Sequence, residues 1–67
     1  MKTLELKDLF EGVVYWDIIA QRPMLVTSID KDGDIVDVRG TIFDNGKYHY
    51  NMHVADHQLR EIKSEEI

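Results

Sequence analysis

Residues 35–54 read IVDVRGTIFDNGKYHYNMHV, and this stretch decides the fold. In its first half Val36, Val38 and Ile42 share one parity; in its second half Tyr48, Tyr50, Met52 and Val54 alternate with Lys47, His49, Asn51 and His53. Successive side chains of a strand leave on opposite sides, so period-two alternation marks half-buried strands. Between the halves stands Asp44-Asn45-Gly46-Lys47. Asn-Gly tolerates the positive φ that a tight hairpin turn needs at both central positions.

Working backwards, Asp30-Lys31-Asp32-Gly33-Asp34 has the same turn chemistry, and residues 24–29 read as the strand that pairs with residues 35–43. Residues 13–19 are dense in β-branched and aromatic side chains and predict a further strand. Ala20-Gln21-Arg22-Pro23 interrupts it, with Pro23 fitting a loop or the first position of a strand. Residues 1–11 read as a short N-terminal helix or turn, with Thr3 as N-cap, Leu6, Leu9 and Phe10 as a stripe, and Gly12 as the stop; an edge strand over residues 3–6 is the competing reading. At the other end, residues 55–58 predict a single helical turn, residues 59–62 a closing strand, and residues 63–67 a frayed acidic tail. A C-terminal helix over residues 56–66 is the alternative, but its apolar stripe would hold only Leu59 and Ile62.

A chain of 67 residues has room for one core, so residues 1–67 are expected to form a single domain. The expected class is all-β, a single small SH3-like barrel of about five antiparallel strands, because closure removes sheet edges that would otherwise recruit other chains. The expected core is Phe10, Val14, Trp16, Ile18, Met24, Val26, Ile29, Val36, Val38, Ile42, Tyr50, Met52, Leu59 and Ile62. The absence of cysteine excludes disulfides, thiolate metal sites and a cysteine nucleophile, and fits a cytoplasmic chain. Thirteen acidic against eight basic residues, net charge −5, argue against nucleic acid and anionic membranes as partners, the more so because the basic residues are dispersed.

The order Phe10-x-Gly12-x-Val14, then Pro23-Met24-x-Val26, a Gly33 turn and a late Leu59 before a short last strand resembles the YodC-like family of small bacterial SH3-like domains. The resemblance implies the barrel and leaves the activity open, since the role of that family is not established. Where that family tends to carry a Ser-Gly-Gly-Pro loop and a Cys-x-Trp-Phe-like third strand, this chain has Ala20-Gln21-Arg22-Pro23 and Val36-Asp37-Val38-Arg39.

Three constellations invite chemistry. His49, His53 and His57 fall four apart, but in a strand that spacing separates them by about 13 Å, too far to share a metal ion, so no metal site is assigned. Asp30, Asp32 and Asp34 begin like a calcium loop, whose sixth and twelfth positions should be Gly and Glu and are here Ile35 and Thr41. No pair of carboxylates, glycine-rich phosphate loop or serine elbow supports catalysis, so neither an enzyme nor a cofactor is expected.

The aromatic residues are more informative, because small domains bind through rigid rings. By parity Trp16 lines the core and Tyr15 faces outward. The candidate partner- or ligand-binding residues are Tyr15, Tyr48, His49 and His53, with Arg22 and Arg39 as a grip for phosphate or carboxylate. The leading expectation is a non-catalytic module that engages another protein through an aromatic groove or an acidic surface, for example a phage-type inhibitor of a host factor. The alternative is a homo-oligomer that binds a nucleotide or another small anionic metabolite between subunits.

Overall fold

The Asn45-Gly46 turn forms as its sequence dictates, with φ of 51° and 83° and with Asp44 opposite Lys47. The structure, a computed structural model, describes residues 2–66. Its strands are β1 (Val14–Asp17), β2 (Arg22–Asp32), β3 (Ile35–Asp44), β4 (Lys47–Val54) and β5 (Leu59–Glu61). They make one antiparallel sheet in the order β4-β3-β2-β1-β5, so the fold is all-β. Single 3-10 turns lie at Leu6–Asp8 and Ser64–Glu66.

The sheet is forced to curl. Flat, its edge strands would stand roughly 19 Å apart, whereas residues 55–58 bridge at most about 18 Å fully extended. They are not extended, since His57 sits at φ 63° and Gln58 N–H donates to the Ala55 carbonyl at 3.3 Å. The bend is centred on Gly40. β2 carries an extra residue at Thr27, between the pairs Val26↔Gly40 and Ser28↔Arg39, and β4 carries another between Gly40↔Met52 and Ile42↔His49. Extra residues in both neighbours bend the sheet around the strand between them. A Cβ on Gly40 would stand 2.7 Å from Met24 Sδ and 2.9 Å from the Leu25 carbonyl oxygen, so the bend requires glycine. No β4–β5 pairing joins the edges among the described residues, which leaves the sheet curled and open.

Leu9, Tyr15, Met24, Val26, Val38, Ile42, Val54 and Leu59 fill the concave side, with Leu4, Leu6, Ile29, Val36 and Met52 packed against them. This corrects the sequence reading at two places. In β1 the inward residues are Tyr15 and Asp17, not Trp16, while Phe10 and Val14 are exposed and Trp16 and Ile18 only half-buried. The cause is Asp17, 1% exposed, whose Oδ1 accepts the N–H groups of Ile19 (2.9 Å) and Ala20 (3.0 Å) while Oδ2 accepts from Gln58 Nε2 (2.9 Å). That turn also ends β1 at Asp17 instead of residue 19. In β4 the extra residue reverses the facing, so Tyr50 is exposed while Met52 and Val54 turn inward.

The termini differ too. Thr3 caps no helix; it bridges to Arg60, and the Leu6–Asp8 turn has no side-chain cap. In the acidic tail Glu66 holds Arg60 through Arg60 Nη1 at 2.8 Å, with a second bond from Nη2, and accepts the Lys63 N–H at 2.9 Å. The paired hydrogen bonds from Arg60, with the Lys63 N–H adding to them, lower the pKa of the Glu66 carboxyl to about 2. Ile62 is half-buried, and residue 67 lies outside the described residues.

Candidate functional site

Facing pairs across an antiparallel sheet share a side, so the register fixes what the convex face presents. Arg60 pairs with Trp16, Trp16 with Pro23, and Phe43 with Tyr48. One step from the Met24↔Ile42 pair, Pro23 and Phe43 come level. A row of Arg60, Trp16, Pro23, Phe43 and Tyr48 therefore crosses all five strands. Beside it runs a second row, Val14, Leu25 and Thr41, ending near Tyr50.

Contacts confirm the rows. The Arg60 guanidinium lies 5.3 Å from the Trp16 ring centre. Phe43 and Tyr48 rings are 4.9 Å apart and tilted by 48°, and Tyr48 and Tyr50 are 5.7 Å apart and nearly parallel at 22°. Phe43, Tyr48 and Tyr50 are 52%, 59% and 67% exposed. Leu25 and Val14, also exposed, stand on the same face in the second row, and a cluster of exposed rings of this kind marks a candidate interaction surface.

The candidates named from sequence separate. Tyr48 stands in the patch. Arg39 and His53 lie on the same face, flanking it, and both engage Asp37, at 3.6 and 3.2 Å. His49 pairs with Ile42 and so stands on the concave side, exposed beyond the core. Arg22 is at the rim of that side, paired with Asp44 at 3.1 Å. Tyr15, expected outside, is 6% exposed, and its hydroxyl accepts the Phe10 N–H at 3.0 Å. Sequence reasoning missed Phe43, Leu25 and the outward position of Tyr50. Phe43 was findable: once Asn-Gly sets Asp44 opposite Lys47, Phe43 must face Tyr48.

The remaining hollows are shallow. One of about 650 Å³ is lined by Lys2, Leu4, Arg60, Glu61, Ile62 and Lys63, but the charged end of Arg60 is occupied by Glu66. The histidines diverge, His49 and His53 on opposite faces and His57 Nδ1 beside Thr3 Oγ1 at 2.9 Å, so one ion cannot bind all three. No helix among the described residues is long and apolar enough to cross a membrane. In comparison with known proteins, no family model, curated protein or solved structure matches the chain.

Proposed function

We propose that this chain is a small non-catalytic binding module, an SH3-like domain of the kind its YodC-like resemblance implies, that engages a protein partner through the convex aromatic patch. The observation that carries the reading is the exposure of Phe43, Tyr48 and Tyr50 in mutual contact. Preassembled rings lose little side-chain freedom on binding and offer large apolar area, which is why aromatic residues dominate binding hot spots. The acidic surface acts as the solvating remainder of the chain rather than the contact.

The test compares the tagged chain with a Phe43→Ser, Tyr48→Ser double variant, each isolated gently from host lysate and weighed by native mass spectrometry. A partner held by the wild type in 0.5 M salt, about 4 Å of Debye length, and lost from a variant that keeps its melting temperature supports the patch. A partner retained equally by both, or released by salt alone, overturns it in favour of the acidic surface.

A further inference from the structure

The sheet has two edges, and only one is covered. At β5 the backbone continues to hydrogen-bond beyond the strand: Thr3 bridges to Arg60, and Leu4 N–H donates to the Leu59 carbonyl at 2.8 Å. β4 has β3 on one side and nothing among the described residues on the other, and Lys47 through Asn51 are all exposed. An uncovered strand is a template for another.

Which groups it offers follows from the turn. In a two-residue hairpin the closing pair, here Asp44 and Lys47, is hydrogen-bonded, and alternation makes Ile42 and His49 the next such pair. The N–H and C=O of Tyr48, and by the same alternation of Tyr50, point away from β3 to the open edge. Asn51, at φ 54°, ends this regular stretch.

We propose that the occupant of this edge is a second copy of the chain, its β4 antiparallel to the first about a two-fold axis at His49. Residues that pair across a sheet must share a face, so the axis has to pass through a residue rather than between two. At His49 it sets Tyr48 opposite the partner copy's Tyr50 and Tyr50 opposite its Tyr48, each pair exchanging both N–H···O bonds through the groups that point outward. All four tyrosines then lie on the convex face, and the aromatic patches of the two copies become one.

Charge permits this edge and disfavours others. The chain carries 13 acidic residues and a net charge of −5, yet β4 has no carboxylate, and the flanking Asp44 and Asp37 are already paired with Arg22 and with Arg39 and His53. More than half of each tyrosine remains exposed. With the strand backbone and its neighbours they offer on the order of 500 Å² per copy, the size of a weak, reversible dimer. Chains of this length without disulfides or structural metals often gain stability by association.

The pairing does not depend on the protein partner proposed above, and its test needs the purified chain alone. Sedimentation velocity over a micromolar range should show conversion from the 7.9 kDa monomer to a species of twice that mass. Tyr50→Pro, which removes an outward N–H from each copy, should weaken association by about 30-fold. Because the chain has no cysteine, His49→Cys tests the axis directly. His49 and its symmetry mate form a non-hydrogen-bonded pair, whose close Cα separation of about 4.5 Å suits a disulfide, so on addition of diamide, which takes up the two thiol hydrogens, the variant should crosslink rapidly, and Lys47→Cys should not. If Tyr50→Pro loses its sheet, the two cysteine variants decide alone. A wild type that stays monomeric throughout, or equal crosslinking of Lys47→Cys and His49→Cys, overturns the proposal.

Discussion

Along β5, Leu59 and Arg60 are buried and residues 3 and 4 lie against the strand, whereas along β4 every residue from Lys47 to Asn51 is exposed. The covered side is assembled from distant parts of the chain. Asp17 reaches Gln58, His57 N–H donates to Leu4 carbonyl at 2.9 Å, and Leu6 N–H donates to Asp56 at 2.8 Å. The open side is one local hairpin whose turn specifies it without help. The difference separates two tasks: polar groups that meet inside one edge hold the curl, and rings left outside at the other are free to make contacts.

The strongest blow to the covered side is Asp17→Ala, which strips acceptors from two backbone N–H groups and the Gln58 amide. We expect a loss of about 3 kcal/mol and a fall in melting temperature of about 15 °C, read by thermal circular dichroism. A loss below about 1 kcal/mol would mean that this carboxylate does not hold the edge. Next in size is Gly40→Ala at the bend between the two sides, where the added methyl meets Met24 and the Leu25 backbone; about 2 kcal/mol is expected from chemical unfolding. Unchanged stability would show that the sheet relaxes there freely.

Smaller still is the acid response of the tail. Arg60 lowers the pKa of the Glu66 carboxyl from the usual 4.5 to about 2, so the stability the clamp contributes is full above the unfolded value and declines as pH falls from 4.5 towards 2, where the clamp itself releases. Because Arg60 lies over Trp16, tryptophan emission should report that release, and Glu66→Gln should abolish the transition. A midpoint near 4.5 would show that the clamp does not form. Smallest of all, Tyr48→Ser and Tyr50→Ser should each change the stability of the dilute monomer by under about 0.5 kcal/mol, because these rings are exposed. A loss of 2 kcal/mol would return them to the core.

Strand existence was legible because β2, β3 and β4 are bounded by Asp-Gly-type and Asn-Gly turns whose chemistry is local. What faces inward was less so. Trp16 is more hydrophobic than Asp17, and only the distant Gln58, together with the N–H groups of the following turn, makes the carboxylate the inward residue. The alternation of Tyr48, Tyr50, Met52 and Val54 has no break in sequence, yet an inserted residue near Asn51 divides it into an outer and an inner half. Pattern records side-chain order, not the register of the neighbouring strand, and the aromatic patch is a product of register.

The link between Asp17 and Gln58 also sets a timescale. It closes 41 residues of chain, whereas the hairpins of β2, β3 and β4 close over a few. Short loops form first because they cost the least entropy, so the meander precedes the seam, and contacts made after the transition state govern escape rather than entry. Removing the Gln58 amide, which cuts this link and leaves the local Asp17 turn in place, is therefore expected to shorten the lifetime of the folded chain more than it slows refolding.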